Sequence, residues 1–164
     1  SDLMYADYCA FATLSFGNSR LREPIESGAR INRGFDLMNL VASEFQIKRK
    51  DLGFFVKDEV KTENGSQRDN AHLHMVLSSR AFKPLQELRL YTPECLCALM
   101  KRLWRQNGES KIVPFDETKK KSGLRYITKF KKGDVLVYSG HRFSRDLKRE
   151  IRAAKHSPTH FLNN

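Results

Sequence analysis

Residues 53–79, GFFVKDEVKTENGSQRDNAHLHMVLSS, decide the fold of this chain. Apolar and polar side chains alternate along 53–60 and again along 71–79, which is the period of a strand with one buried face. The stretch between the two runs carries turn residues, including Asn64 and Gly65. The sequence therefore predicts two antiparallel strands joined by a long hairpin tip.

Strand and helix patterns interleave on both sides of this hairpin. The segment 5–17 predicts a first strand with two faces, one formed by Ala10, Ala12, Leu14 and Phe16 and the other by Phe11, Thr13 and Ser15. A polar loop is expected over 18–34, followed by a helix over 35–50 that closes on a basic tail. Thr92 and Pro93 begin a second helix, which Gly108 ends. The remaining patterns predict a strand over 111–116, a basic helical stretch over 117–133, a strand over 134–140 and a terminal helix over 144–156.

These elements predict a single α+β domain over residues 1–164. The sheet is expected to be central and antiparallel, because its strands pair as hairpins, with helices flanking it. We expect one sheet face to be covered and the other to be open for a functional site. A chain of 164 residues with 40% apolar side chains is large enough for one such core.

The charge balance favours a polyanionic partner. Thirty lysines and arginines against nineteen acidic residues leave a formal net charge of +11, so counterion release would drive binding to nucleic acid. A basic surface that serves only solubility is the alternative. No apolar run approaches the length of a bilayer, and the N-terminal segment lacks the basic flank of a secretory signal. We therefore expect an intracellular protein without a membrane partner, in the cytoplasm or, for a eukaryotic virus, in the host nucleus.

The three cysteines are expected to be reduced core residues. Their number is odd, and Cys95 and Cys97 would point in different directions on the second helix, which disfavours a disulfide between them. Cys9 lies in the first predicted strand.

Two of the five histidines, His72 and His74, flank a leucine in the return strand of the hairpin. A period of two places both imidazoles on the face opposite Leu73. Glu59 lies on the same face of the outgoing strand if the apolar sets pair across the hairpin. Folding about Gly65 then brings Glu59 opposite the two histidines.

Two imidazoles and a carboxylate can hold a divalent cation. This set suits Mn²⁺ or Mg²⁺ with positions left open for a substrate phosphate, and Zn²⁺ is also compatible. Glu59 is the first choice for the third ligand, and Asp58 and Glu63 are the alternatives. An H-x-H triplet is a weak signal alone, since a chain of this composition contains one by chance roughly one time in seven. A structural pair of histidines is the competing interpretation.

The basic stretch GLRYITKF (123–130) contains a candidate nucleophile, Tyr126, with Lys129 three residues later. That spacing places both side chains on one face of a helix. A nearby ammonium and a metal-bound phosphate favour attack by a phenolate. A packed tyrosine beside a solvated lysine is the competing interpretation.

The order of these features resembles the HUH endonuclease superfamily, and within it the single-tyrosine rolling-circle replication initiators. The matching residues are His72-Leu73-His74, after a strand with a carboxylate, and Tyr126-Ile127-Thr128-Lys129 on a basic helix. The resemblance covers most of the chain in the order of elements but only these short motifs in residues. It implies an antiparallel sheet flanked by helices, of the ferredoxin-like type that RNA-recognition motifs also have.

The resemblance also implies an activity. Tyr126 would nick single-stranded DNA at an origin, leaving a 5′-phosphotyrosine and a free 3′-hydroxyl, with Lys129 assisting and with His72, His74 and Glu59 binding the metal. The residues expected to contact DNA are Thr13, Ser15, Lys57 and Arg125. The expected partner is origin DNA, as a single strand or as a hairpin. Further expected partners are a host DNA polymerase and a host or fused helicase, since the chain has no Walker phosphate loop. The domain itself is expected to be a monomer.

Three other activities stay open. Relaxases place their tyrosine near the N-terminus, where Tyr5 and Tyr8 lie, and a single-strand DNA transposase would act as a dimer. A nucleic-acid-binding module without chemistry is the third, in which Trp104, Phe11 and Phe55 would grip a single strand by stacking.

Overall fold

The computed structural model describes residues 7–61, 67–120 and 135–139. Within these ranges the helices and strands are β1 (Tyr8–Leu14), α1 (Ser27–Glu44), β2 (Phe54–Lys61), β3 (Gln67–Ser78), α2 (Lys83–Glu87), α3 (Pro93–Trp104), β4 (Ser110–Pro114) and β5 (Val135–Ser139). Short 3-10 turns lie at Ser19–Arg22, Pro24–Glu26, Arg49–Asp51, Arg80–Phe82 and Glu117–Lys119. All five strands that the sequence predicts are therefore present.

The strands form one sheet in the order β4-β1-β3-β2-β5, and every neighbouring pair is antiparallel. The units β1-α1-β2 and β3-α3-β4 interleave their strands, which is the ferredoxin-like arrangement. The strand β5 extends this sheet beside β2. The predicted α+β class, with a central antiparallel sheet flanked by helices, is confirmed.

The central hairpin pairs as its alternation predicts. In the register of β2 and β3, Phe54 lies opposite Leu77, Val56 opposite Met75 and Glu59 opposite His72. The apolar sets of both strands therefore share one face of the sheet, and Glu59 shares the other face with the histidines.

Helices α1 and α3 cover the apolar face. The core residues of the sheet include Ala12, Leu14, Phe54, Val56, Leu73 and Met75, and those of the two helices include Leu37, Met38, Val41, Leu96, Met100 and Trp104. Removing this surface from water stabilises the fold by about 25 cal/mol per Å². Gly34 allows α1 to lie close to the sheet, because a Cβ at that position would meet Leu73 Cδ1 at 3.2 Å and Met75 Cε at 3.4 Å.

The first helix begins earlier than its hydropathy pattern indicates. The pattern predicts a loop over 18–34 and a helix over 35–50, whereas α1 spans Ser27–Glu44 and the basic tail contains only a 3-10 turn. Both bounds are wrong for local reasons. Arg30 and Gly34 occupy buried positions of α1, and neither a charged residue nor a poor helix former looks like part of an apolar stripe. At the other end, Gln46 adopts a left-handed φ of 55° just after the helix ends.

Arg30 is buried because Asp58 of β2 neutralises its charge. Its Nε and Nη2 donate to the carboxylate oxygens Oδ1 and Oδ2 at 2.7 and 2.8 Å, and its Nη1 donates to the backbone oxygens of Leu21 and Glu23. Ser27 Oγ donates to the same carboxylate at 2.5 Å. Both charged side chains are fully buried, so the pair joins α1, the loop before it and β2.

Replacing Arg30 by methionine is expected to lower the free energy of unfolding by about 3–5 kcal/mol, because the Asp58 carboxylate would stay buried without its charged partner. Denaturant unfolding followed by circular dichroism measures the loss. Arg20→Met is the matched control. Arg20 pairs with Glu26 at 3.5 Å with 80% of its side chain exposed, so its loss should cost no more than about 1 kcal/mol. Equal losses in the two variants would show that the buried pair does not stabilise the fold.

The cysteines are free, with Cys9 and Cys97 buried and Cys95 exposed. Burial raises the pKa of Cys9 to about 12 and that of Cys97 to about 11, so both thiols stay protonated near neutral pH. Cys95 lies in the first turn of α3, where its N–H donates to Thr92 Oγ1 at 3.1 Å. The predicted core position is therefore right for Cys9 and Cys97 and wrong for Cys95.

Two predicted helical stretches fall largely outside the described residues. Only residues 117–120 of the basic stretch are described, and they contain the turn Glu117–Lys119. Arg125, Tyr126 and Lys129 lie outside the described ranges, as does the predicted terminal helix over 144–156. Among the described helices, none combines the length and the apolar character that crossing a bilayer requires.

Candidate metal centre

The sheet face opposite the helices carries a cluster of polar side chains from three adjacent strands. Glu59 comes from β2, His72 and His74 from β3, and Thr13 from β1. The register pairs Glu59 with His72 and Thr13 with His74, so alternation directs all four to one face. The structure thus brings Glu59 and both histidines together, as the hairpin pattern predicts. That they bind a metal stays a prediction.

The potential ligand atoms converge on a small volume. His74 Nε2 lies 3.0 Å from Glu59 Oε2 and 3.0 Å from His72 Nε2. One ligand atom from each of the three residues lies within 4.8 Å of the other two. The two imidazole rings are nearly perpendicular, at 89°, with centroids 4.7 Å apart. His74 is therefore the central member of the cluster, since its Nε2 contacts both of the others.

Thr13 contacts the second ring nitrogen of His74. Its Oγ1 lies 3.2 Å from Nδ1, so a hydrogen bond at this place sets which ring nitrogen carries the proton. When Nδ1–H donates to the hydroxyl, the Nε2 lone pair is directed toward Glu59 and His72. Polar contacts of this kind orient histidines in metal sites. The ring of Phe11 lies beside His74, with centroids 6.2 Å apart.

A lysine lies next to the carboxylate of the cluster. Lys57 Nζ is 4.0 Å from Glu59 Oε2, and the two side chains are 2% and 1% exposed. A buried carboxylate needs such partners, because desolvation of an unpaired charge is costly. A divalent cation here would be attracted by Glu59 and repelled by Lys57. Its binding would therefore depend on bonds to the imidazole nitrogens and the carboxylate more than on net negative charge.

The cluster face is less open than the sequence predicts. Phe55 and Val76 on this face are fully buried, and His74 is 3% exposed. His72 is half-buried, which makes it the most accessible of the three potential ligands. The expectation of an open face is wrong because apolar residues also occupy the second face of β2 and β3.

Part of this cover comes from the first residue of β1 and the segment after β4. The β1 register with β3 is irregular between Tyr8 and Ala10, which turns Tyr8 toward the cluster face. The ring of Phe115 lies 5.1 Å from the Tyr8 ring, and Lys120 Nζ lies 5.3 Å from the centre of the same ring. No local sequence pattern would have indicated these contacts, since they join residues more than a hundred positions apart.

The alternative ligands fare differently from Glu59. Asp58 points to the opposite face, where Arg30 lies 2.7 Å from its carboxylate, so it is excluded as a ligand. Glu63 lies outside the described residues.

Three of the predicted DNA contacts, Thr13, Ser15 and Lys57, lie among the described residues, and that they bind DNA stays a prediction. Lys57 is 1% exposed, and such burial does not favour a direct contact with DNA. Ser15 is half-buried and takes part in packing through its backbone oxygen, which accepts from Trp104 Nε1 at 2.9 Å. Trp104 and Phe55 are fully buried, so neither can stack on a base.

A single divalent ion can bridge ligand atoms at these separations, and the donor set of two imidazoles and a carboxylate is one that such ions accept. Comparison with protein-family models, with curated proteins and with solved structures finds no match for the chain. The ferredoxin-like topology occurs in proteins of many unrelated functions, so it does not select one by itself. A proposal for the function therefore depends on the histidine cluster and on the sequence motifs.

Proposed function

We propose that this chain is a metal-dependent, site-specific endonuclease and strand transferase that nicks single-stranded DNA through Tyr126 and starts rolling-circle replication. The observation that carries the proposal is the convergence of Glu59, His72 and His74 on one sheet face. It is supported by the Y-x-x-K motif at 126–129, which resembles the nucleophile helix of the HUH endonucleases, and by the net charge of +11.

The proposed cation is Mn²⁺ or Mg²⁺. In an octahedral site with ligands about 2.1 Å from the ion, adjacent ligand atoms are about 3.0 Å apart, which is the separation of His74 Nε2 from both of its neighbours. Three protein ligands also leave positions for substrate oxygens. Tetrahedral Zn²⁺ would need the ligand atoms somewhat farther apart.

The proposed nick is a transesterification. The Tyr126 oxygen attacks a backbone phosphorus, a bond from tyrosine oxygen to phosphorus forms, and the bond from phosphorus to the 3′ oxygen breaks. The phenol proton ends on the released 3′-hydroxyl. Lys129 supplies a positive charge that favours the phenolate and offsets charge in the transition state. The cation, when bound, draws charge from the phosphate, while Glu59, His72 and His74 hold it in place.

The polarity of the products gives a sharp test. The protein is incubated with a pool of random single-stranded DNA and Mn²⁺, labelled at either the 5′ or the 3′ end, and resolved on a denaturing gel. We expect the 3′ label to migrate with the protein and the 5′ label to mark a short fragment that a polymerase can extend. Chelation of the metal should remove both products. Absence of an adduct with Mn²⁺, Mg²⁺ and Zn²⁺ alike would overturn the proposal.

The related activities differ in measurable ways. A relaxase would attach DNA to Tyr5 or Tyr8, and a transposase would sediment as a dimer. A binding module without chemistry would have to stack bases on Phe11, which is half-buried, because Trp104 and Phe55 are fully buried.

Replacing Thr13 by valine is expected to weaken Mn²⁺ binding by about ten- to a hundredfold, because the His74 ring would lose the hydrogen bond that fixes its proton and orientation. Titration calorimetry measures the affinity. Thr13→Ser keeps the hydroxyl and should bind Mn²⁺ nearly as tightly as the natural protein. If the valine variant bound the ion equally well, Thr13 would have no part in positioning His74.

A further inference from the structure

A groove with basic walls runs along one end of the sheet, between the turn after β1, helix α1 and the turn that joins α3 to β4. Two concavities of about 310 and 360 Å³ adjoin there and share Arg105 and Gly108. We call this feature the basic groove, and define it by Asn18, Arg33, Lys101, Arg105, Gln106 and Gly108.

The charge of the basic groove is positive and available. Arg33, Lys101 and Arg105 line it, with Glu109 as the only acidic residue of its described lining. All three cations are exposed, and none forms an ion pair with an acidic residue of the described chain. Several other surface cations are paired, as Lys83 is with Asp7. The groove therefore presents unneutralised positive charge in a concave place.

The backbone holds the shape of the groove. Gly108 has a φ of 156°, and a Cβ there would lie 2.6 Å from the backbone oxygen of Ser15 and 2.8 Å from the nitrogen of Gly17. The Gly17 N–H donates to the backbone oxygen of Asn107 at 2.8 Å, and Trp104 Nε1 donates to that of Ser15 at 2.9 Å. The two turns are thus fastened together, so little ordering is needed when a ligand binds.

The groove lies at the same end of the sheet as the histidine cluster. Leu14, at the end of β1, pairs with Leu73 of β3 and with Ser110 of β4. Thr13 contacts His74, and Asn18 of the groove follows Thr13 by five residues, which is at most about 18 Å of extended chain. A single strand of DNA that occupies the basic groove can therefore continue to the histidine cluster.

We propose that the basic groove binds the phosphate backbone of the single strand that enters the metal centre. Guanidinium groups and side-chain amides donate to phosphate oxygens without reading sequence, and both Arg33 and Gln106 are present. No aromatic side chain is among the described lining, so the groove holds backbone and not bases. The proposal rests on the proposed function for the identity of the polyanion.

The test compares two double variants with equal charge change. Arg33→Ala with Arg105→Ala alters the groove, and Lys48→Ala with Arg80→Ala alters exposed cations at the opposite end of the sheet, next to the start of β2 and the end of β3. Binding of a fluorescent oligothymidylate is measured without metal at several salt concentrations. Losing two phosphate contacts should reduce the slope of log affinity against log salt by about 1.4. The loss of affinity at 0.1 M salt should then be about 25-fold larger than the loss at about 1 M salt. The control variant should keep the wild-type slope.

The outcomes separate this inference from the nuclease proposal. A wild-type slope in the groove variant, or an equal change in the control, overturns the groove inference even if the adduct forms. The expected slopes without any adduct support the groove and overturn only the nuclease. Unchanged Mn²⁺ affinity and thermal unfolding show that a variant is folded, and Lys101→Ala with Arg105→Ala replaces the first pair if that pair folds poorly.

Discussion

Tyr126→Phe is expected to eliminate both the covalent adduct and the nick, a loss of at least about a thousandfold in rate. The substitution removes the one oxygen that we propose bonds to phosphorus and keeps the ring, so packing and metal-free binding of single-stranded DNA should stay near the wild-type values. Denaturing gels measure the first effect, and fluorescence anisotropy measures the second. Lys129→Ala should slow the reaction without preventing binding, since it removes a charge and not the nucleophile.

Tyr91→Phe is the matched control for this change. Tyr91 is 4% exposed, and burial raises the pKa of its phenol, so it is unsuited to attack a phosphate. Its variant should form the adduct at the normal rate. Peptide mapping of the trapped adduct identifies the attached residue directly, and the assignment would be contradicted by attachment at Tyr5, Tyr8, Tyr91 or Tyr138. Normal nicking by Tyr126→Phe would indicate a nuclease that activates water.

The second large effect is expected when both histidines are replaced. His72→Ala with His74→Ala removes two of the three proposed ligands and should reduce Mn²⁺ affinity by at least about a hundredfold, abolishing the adduct with it. Calorimetry with Mn²⁺ measures the first loss independently of DNA. Since His74 is 3% exposed, its removal also leaves neighbouring polar groups with fewer partners, at about 1–3 kcal/mol. His74→Gln keeps hydrogen-bonding capacity and separates metal loss from that destabilisation. Full activity of the double variant would leave the histidines as structural residues only.

The two neighbouring carboxylates of β2 provide the control for this prediction. Glu59→Gln removes the charge of the proposed third ligand and should weaken Mn²⁺ binding, and it also removes the carboxylate that lies 4.0 Å from buried Lys57. Asp58→Asn should destabilise the fold through Arg30 and leave the Mn²⁺ affinity of the folded protein close to normal. If Asp58→Asn weakened Mn²⁺ binding more than Glu59→Gln, the ion would lie on the sheet face that Arg30 contacts.

Strand alternation predicts which residues form the centre of the candidate site, because successive side chains of a paired hairpin strand point to opposite faces of the sheet. Alternation predicts Glu59, His72 and His74 on one face, and the register of the sheet agrees. The partner of His74 on β1 was not predictable in this way. Thr13 meets His74 only because β1 pairs with β3 at a particular register, and no local pattern encodes which strands become neighbours.

The burial of a side chain is harder to predict than the sheet face on which it lies. Arg30 falls in a stretch whose polar sequence predicts a loop. Its buried role depends on Asp58, which lies 28 positions away in the sequence. The closed cluster face is not predictable for a similar reason, because Tyr8 reaches it through a register irregularity. The basic groove has no sequence signature either, as its cations come from α1, from α3 and from Arg105, which follows α3. Tyr126 and Lys129 lie outside the described residues, so their relation to the cluster stays a prediction.

Asp58 and Glu59 are adjacent acids that face opposite sides of β2, one toward Arg30 and the other toward His74. Sliding β2 by one residue along β3 would exchange them, bringing Asp58 to the histidines and Glu59 to the arginine. Either residue could supply a carboxylate, so the identity of the ligand depends on which alignment is held. The two-pronged grip of Arg30 on Asp58 selects one alignment and acts as a register lock. A single-residue insertion or deletion in β2 would therefore disrupt the buried Arg30–Asp58 pair and the proposed metal centre together.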